Sequence, residues 1–467
     1  MRYIFLILWL SFFTVSAQDP LSLSDAISIG LEKNYDIRIE RKNVIVADNN
    51  NNWGEAGRYP TINLNVSQNN NITDNVKTAS PFALQGQIYG NSIAPGVNVN
   101  WILFDGFRVN LTKRRLDQLQ AESQGNASVV IANTLQSIIL GYYLATLEQA
   151  RLEEFRKQLI LSKDKYDYIK TGSDLGTAVT SDVLLEEGNF LTDSLNLINQ
   201  ELSFRIAQRN LNVVLGIENI NQQYVLTDSL DVELPDFQLD ELENKMLDSN
   251  VDLKKQYITQ AILGTNIGLT KADRYPSLLL NAGVSTNLGN NDLSRTSLAD
   301  VQAFSRSQNP DTVFVPDYSQ SLSSTTNNYF ANFTLSFTLF NGGKINRAIR
   351  NSVIQEDIGN IRLDQLKTSL TRDLQEAYDR YLTRKRIYGI NERREAAAAT
   401  NLEISTQKFR SGTINSFDYR VVQNNYLSAS IVKLQALYNL MDSKVELMRL
   451  TGGLISEHSE PDSATDQ

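Results

Sequence analysis

The amino-acid sequence predicts a mainly α protein with a transmembrane β-barrel, made of duplicated halves, each a β-hairpin plus long helices. Three observations carry that expectation. Two stretches alternate strictly: Phe333, Leu335, Phe337 and Leu339 interleave with Thr334, Ser336 and Thr338, and Val97, Val99, Trp101 and Leu103 run past Asn98 and Asn100. Period two over about ten residues is the strand signal. Residues 107–170 and 343–450 contain no proline, and each carries a stripe stepping by three and four: Leu152, Phe155, Leu159, Ser162, Tyr166 and Ile169 in one, Leu427, Ile431, Leu434, Tyr438, Met441, Val445 and Met448 in the other. Such stripes belong to helices packed side by side over a long distance. Finally, the chain repeats itself at a fixed offset.

Taken in order, residues 1–17 read as a signal peptide: a basic Arg2, an apolar run from Ile4 to Phe13, and the small-residue site Val15-Ser16-Ala17. The run is short for a membrane span, which needs about 20 apolar residues, so cleavage after Ala17 is expected. Gln18 would then lead the mature chain; it is not Cys, so no lipid is expected there. No other long apolar run follows, so no helix is expected to cross a membrane. There is no Cys, so no disulfide or thiolate metal site is expected, and the net charge of −9 argues against nucleic acid as a partner.

The repeat divides the rest into 18–236, 237–455 and a polar tail 456–467 that holds the single His458. A-G-R-Y-P at 56–60 returns as A-D-R-Y-P at 272–276, 216 positions on. L-F-D-G at 103–106 returns as L-F-N-G at 339–342, and G-T-A-V-T-S-D at 176–182 as G-T-I-N-S-F-D at 412–418, both 236 positions on. The offset changes once, between the two strands, so the second copy has the longer loop there. Each half should run from a helix (about 21–56; about 238–272) into a strand (about 60–68; about 276–287). A polar loop follows (68–95; 288–328), then a second strand (about 96–104; about 330–340) and two long helices. Gly172, Gly176 and Gly412 should break the long helices into hairpins. Asp105-Gly106 and Asn341-Gly342-Gly343 mark the turns from strand to helix.

The strands present Phe, Leu, Val and Trp on one face and Thr, Ser and Asn on the other. A barrel with lipid outside and water inside accounts for both faces. Four strands cannot close one. Two chains would give eight strands, a barrel filled by its own side chains, whereas three give twelve and a wet lumen, so the polar inner face favours a trimer. Trp53, Trp101 and Tyr59 are candidates for an interfacial aromatic belt, with ordinary packing the other reading for Trp53.

On these residues the chain resembles the TolC family of outer-membrane efflux proteins over residues 18–455. The resemblance rests on the duplication, the Tyr-Pro strand entries, the Leu-Phe-Asp/Asn-Gly exits and the Gly-x5-Asp helix turns. It implies a homotrimer with a twelve-stranded barrel on an α-helical periplasmic tunnel, in the outer membrane of a Gram-negative bacterium and in contact with outer-membrane lipid. It implies passive export, coupled to an inner-membrane pump through a periplasmic adaptor (membrane fusion) protein, in an efflux or type I secretion system. It implies no catalysis and no cofactor or metal. By motif it places the periplasmic gate at Ser181, Asp182, Asp418 and Phe409. Phe409 stands where the family has a gating Tyr, Ile414 where it has an Arg and Val421 where it has a second Asp. That leaves a looser gate, or one held by apolar contacts. Beside it stands the plain physical reading of Asp182 and Asp418 as carboxylates favoured at helix N-termini. The rival reading of the whole chain is a secreted trimeric coiled-coil structural protein. An enzyme is disfavoured, because no triad, His cluster or phosphate-binding loop is present.

Overall fold

The structure, a computed structural model, describes residues 19–76, 84–228, 235–298 and 321–454. The expected leader, His458 with the tail, and residues 299–320 of the long second loop lie outside the described residues. The described elements are β1 (Asp19–Leu21), α1 (Leu23–Lys33), α2 (Tyr35–Asn50), β2 (Thr61–Asn75), β3 (Leu84–Asp105), α3 (Arg108–Asp174) and α4 (Thr180–Leu215). They continue with β4 (Tyr224–Leu226), α5 (Leu239–Ser249), α6 (Val251–Ala272), β5 (Ser277–Leu298), β6 (Ser321–Ser336), α7 (Lys344–Arg410) and α8 (Ser416–Leu450). They form two compact units, one of Asp48–Leu119 with Ala261–Ile358, the other of Met1–Ala47, Gln120–Gln260 and Gly359–Gln467.

The first unit holds an antiparallel sheet in the order β2-β3-β5-β6, so the hairpin of each half meets the other along β3 and β5. Its register separates two faces. Trp101, Leu280 and Phe333 lie in one row across three strands, and Leu64, Val97, Val284 and Tyr329 in another across all four. Leu64, Phe333 and Leu335 are 74%, 66% and 69% exposed. The opposite face carries the row Thr61, Asn100, Asn281 and Asn332, in which Asn281 Nδ2 donates to Asn100 Oδ1 at 2.5 Å. The strands run past the expected 60–68, 96–104 and 276–287, to 15, 22 and 22 residues, and β6 runs from Ser321 to Ser336 rather than from about 330 to 340, so Phe337 and Leu339 of the alternating stretch lie beyond its end. Alternation marked only the stretch with one apolar face. Beyond it Asn, Ser, Gln, Gly and Thr dominate, and the apolar residues, such as Ile72, Ile88, Ile93 and Leu288, no longer alternate regularly, yet the backbone ladder continues.

The helical part of the chain is built twice. α3 and α7 each span 67 residues, about 100 Å at 1.5 Å per residue, and α4 and α8 span 36 and 35. The helices expected over 21–56 and 238–272 are each broken in two, at Asn34 and Asn250. Both residues have extended backbone, and both use their side chains twice. Asn34 Oδ1 accepts from the Asp36 and Ile37 amides at 2.9 and 3.2 Å, while its Nδ2 donates to the Val214 carbonyl at 2.7 Å. Asn250 Oδ1 accepts from the Leu253 amide, and its Nδ2 donates to the Leu450 carbonyl, both at 2.9 Å. A buried asparagine that caps one helix and ties it to another recovers more than a continuous helix would.

The same knot recurs in its other parts. Gly216 and Gly452 adopt φ 74° and 73° at helix ends, where a Cβ would strike the Lys33 and Ser249 carbonyls. The Tyr142 hydroxyl donates to the Leu21 carbonyl at 2.9 Å and that of Tyr378 to the Phe237 carbonyl at 3.2 Å. An apolar cluster surrounds each knot: Ala26, Ile138, Tyr142, Leu211 and Leu215 in the first, Leu242, Met246, Leu374, Tyr381 and Leu447 in the second. By length and composition alone α3 is long and apolar enough to cross a membrane, a property that a buried core helix shares. Half of its apolar window is buried, and Leu135, Ile138, Ile139 and Tyr142 there supply the first cluster, which accounts for its composition.

Candidate functional site

The two hairpin ends share a backbone. Gly176 and Gly412 sit at φ 78° and 72°, and the amides of Thr177 and Thr413 donate to the Gly172 and Lys408 carbonyls, both at 2.8 Å. The left-handed residue closes each long helix, and glycine takes that conformation without Cβ strain. Gly172 itself lies inside α3, so Gly176 makes the break in the first hairpin.

The four residues the sequence singled out fall close to these turns. Ser181 and Asp182 are exposed in the first turn of α4, and the Asp182 amide donates to the Val179 carbonyl at 3.0 Å. Asp418 is exposed in the first turn of α8 and forms a reciprocal cap with Asn415. The Asp418 amide donates to Asn415 Oδ1 at 2.8 Å, and Asn415 Nδ2 donates to the Asp418 carboxylate at 2.9 Å. Phe409 lies apart from both carboxylates in a stack of rings. It is parallel to Tyr419 at 4.8 Å between centroids and takes the edge of Tyr168 at 5.7 Å. Ile414 is half-buried and Val421 exposed.

Beside the stack lies a charge network that sequence reasoning missed. Lys165 Nζ sits 5.9 and 5.7 Å from the centroids of Phe409 and Tyr419, pairs with Glu186 at 3.0 Å, and donates to the Ser416 carbonyl at 2.8 Å. Lys165 and Glu186 are 2% and 1% exposed at the side chain. Burial pushes the Lys165 ammonium below its ordinary pKa, with Arg420 adding to the shift and Glu186 and Asp193 opposing it. The Ser416 hydroxyl also bonds Glu186. Further along, the Arg420 guanidinium grips Asp193 with both terminal nitrogens, at 2.6 and 2.8 Å, while Ser162 and Gln158 bond the same carboxylate. One ion pair, Lys165–Glu186, joins α3 to α4 within the first half and reaches α8 through hydrogen bonds to Ser416, and the other, Arg420–Asp193, ties α4 directly to α8. A bidentate guanidinium–carboxylate pair fixes geometry as well as charge.

A signal for this network was present. Glu186, Asp193 and Gln200 recur at seven-residue intervals in α4 and are its buried stripe, continued by Ala207. Meanwhile Leu184, Leu191, Leu195, Ile198, Leu202 and Ile206 are exposed. The helix is inverted, polar inward and apolar outward, within one chain. In α3 the deep positions below Leu152 are likewise Gln158, Ser162 and Lys165, rather than Phe155, Leu159, Tyr166 and Ile169 of the expected stripe.

An amphipathic sheet with two free edges and a duplicated set of helical hairpins of about 100 Å defines a class of protein, the outer-membrane channel with a helical extension. The chain matches the family described as outer membrane efflux protein over residues 26–217 and 242–453, and it belongs to that family. It is therefore an outer-membrane channel of a tripartite efflux system with its helices in the periplasm, assembled as a homotrimer and working with a periplasmic adaptor and an inner-membrane pump. Among solved structures it is similar to the channel CusC, at 16% identity over 92% of each chain with a TM-score of 0.69. It is also similar to Campylobacter jejuni CmeC, at 16% identity over 92% of this chain and 85% of that one, TM-score 0.68. The open state of Neisseria gonorrhoeae MtrE is similar at 14% identity over 92% and 89%, TM-score 0.65. At such identities the likeness carries the fold. No curated protein sequence matches the chain.

Proposed function

We propose that the ends of the α3–α4 and α7–α8 hairpins form the periplasmic gate of this channel, held shut by Arg420–Asp193 and by the bonds of Lys165 and Glu186 to Ser416. The observation that carries this reading is the Arg420–Asp193 pair that bridges the first half's hairpin to α8, beside the Lys165–Glu186 pair whose members both bond Ser416 of α8. Opening a helical channel at its end requires one hairpin to move against the other. Breaking a buried pair by removing one partner costs about 3–5 kcal/mol, enough to shift a closed state decisively. Ser181, Asp182 and Asp418 form the polar mouth. Three chains bring six carboxylates there, a ring that selects cations. Phe409 serves by packing, where the family pattern has a polar latch residue.

Closure of the barrel follows from the trimer. β2 and β6 are the free edges of the sheet in one chain, and lipid does not tolerate an open edge, so three sheets join edge to edge into twelve strands. The exposed apolar stripe of α4 is the face that a neighbouring protomer covers. The chain conducts passively and performs no catalysis; the pump supplies the energy.

Single-channel recording in planar bilayers tests the gate. Wild type should give small, cation-selective steps. Arg420→Gln and Asp193→Asn should give larger or longer openings, and Asp182→Ala with Asp418→Ala should weaken cation selectivity. Unchanged conductance in the first pair would discard the latch, and unchanged reversal potentials in the second would discard the acidic mouth.

A further inference from the structure

The barrel unit has a feature that conduction does not use. At the strand ends nearest the helices, large aromatic side chains stand in the open: Tyr59, Phe107, Tyr275 and Phe340 are 62%, 59%, 53% and 87% exposed. Phe107 holds φ 66°, a left-handed backbone costly for a residue with a Cβ, where the second half has Gly343. Edge contacts to Phe104 at 5.3 Å and Tyr275 at 6.1 Å hold the ring in place. Aromatic residues concentrate where hydrocarbon meets headgroups, so this is the periplasmic rim of the membrane band.

Cations lie directly below the rim. Arg58 and Arg274 precede β2 and β5 by three residues each, Lys344 begins α7, and Arg114 and Arg350 each lie six residues into a helix, about 9 Å along it. All five are exposed, and among the described residues no carboxylate pairs with any of them. The nearby Asp105 and Asp273 are held by Arg108, and Asp117 by Lys113. The duplication repeats the cations: Arg58 corresponds to Arg274, Arg108 to Lys344 and Arg114 to Arg350, at the two offsets of the repeat. Around them the halves diverge, with Trp53 opposite Leu269 and Lys113 opposite Ile349.

The side on which this charge lies is fixed at Arg58. Trp101 shares the lipid-facing row with Leu280 and Phe333, and its indole N–H donates to the Arg58 carbonyl at 3.0 Å. The Arg58 guanidinium lies 4.7 Å from the Trp53 ring centroid, which orders it without neutralising it. A chain of net charge −9 thus presents unpaired cations at the level of the inner-leaflet headgroups. Headgroup layers are roughly 5–8 Å deep on each side of the hydrocarbon, so helix positions within about 9 Å of the rim reach phosphate with extended side chains.

We propose that Arg58, Arg274, Lys344, Arg114 and Arg350 form a basic collar that binds the phosphate groups of anionic phospholipids in the periplasmic leaflet. The pseudo-symmetry gives two such patches per chain and six around the trimer. The collar rests on the outer-membrane placement of the channel and is independent of the gate assignment. Each patch recognises lipid phosphate, and the flanking aromatics recognise the acyl–headgroup boundary.

Mass spectrometry of the intact trimer tests this, with lipid counted after equilibration in mixed phosphatidylglycerol–phosphatidylcholine micelles. Wild type should retain phosphatidylglycerol in preference. Combined Arg58→Gln, Arg274→Gln, Lys344→Gln and Arg350→Gln should cut that retention by about half or more. Combined Arg58→Lys, Arg274→Lys and Arg350→Lys should keep it. Heat-modifiable migration establishes that each variant is folded; if the glutamine set is not, Arg58→Gln with Arg274→Gln alone should still lower retention. Equal retention of the two lipids by wild type would overturn the collar, as would undiminished retention in the folded glutamine variants. Displacement of the lipid by millimolar inorganic phosphate would reassign the cations to a free-phosphate site. Absence of single-channel steps from wild type would instead count against the channel reading and leave the lipid count standing.

Discussion

The turn between α3 and α4 and the turn between α7 and α8 have one backbone and two chemistries. Both place a glycine at positive φ and close with the same amide-to-carbonyl bond. The second then caps its next helix with Asn415 and Asp418, whereas the first begins its helix after Val179, whose side chain caps nothing. The first half instead supplies two buried carboxylates: Asp193, which pairs with Arg420 of α8, and Glu186, which pairs with Lys165 of α3 and bonds the Ser416 hydroxyl of α8. Lys165 and Arg420, one from each half, supply the cations. Duplication set the geometry of both ends, and divergence made one self-sufficient and the other dependent on its neighbour.

The ion pairs give the largest lever on that difference. Arg420→Leu should lower stability by about 3–5 kcal/mol, read as a fall in the melting temperature of the trimer, because Asp193 is left buried without its cation. Arg420→Leu with Asp193→Leu should recover most of the loss. A double variant as unstable as the single would show that packing, not charge, joins the halves.

The asparagine knots come next and test equivalence where the halves have not diverged. Asn34→Ala and Asn250→Ala should each cost about 2 kcal/mol, from a lost cap and a lost buried bond. Denaturant melts giving clearly unequal losses would break the symmetry that their matched hydrogen bonds imply. At the turns themselves, Asn415→Ala should cost about 1 kcal/mol, and Val179→Asn should add about 0.5–1 kcal/mol to the uncapped helix. Hydrogen exchange at the first-turn amides of α8 and α4 reads each change separately, and faster exchange in Val179→Asn would count against the cap.

The smallest effect is alkaline. Burial, then the Glu154 carboxylate, raises the Tyr426 hydroxyl to about 12. Folding therefore favours the protonated form. That contribution is complete below the unfolded tyrosine pKa of about 10 and is lost as pH rises from there through 12. Tyr142, Tyr381 and Tyr438 are raised in the same direction by burial. Tyr426→Phe should accordingly flatten only part of the decline in melting temperature above pH 10. A slope identical to wild type would remove Tyr426 from the account.

Much of this was legible in the chain alone. Alternation at 97–103 located β3 and alternation from 333 located the end of β6, which stops at Ser336, and the repeated Gly-x5-Asp located both turns. The offsets of 216 and 236 predicted a two-fold repeat, which the paired knots then displayed residue by residue. Those features are local: a period or a turn glycine expresses a backbone preference that neighbours in sequence already impose.

What remained hidden depends on partners distant in sequence. Nothing near Asn34 announces that it ends a helix by reaching Val214, or near Asp193 that Arg420 will hold it. A carboxylate at seven-residue spacing reads as a solvated face until the helix that neutralises it is in place. The inward turn of α4's polar stripe was likewise decided in the fold, since an apolar stripe marks the side that will be covered without saying whether the cover is the same chain or the next. The sequence by itself determined the strands, the turns and the duplication, because short-range sterics and periodicity suffice for them. Tertiary structure decided which charges are buried, since burial is a property of the assembled neighbours and of no single segment.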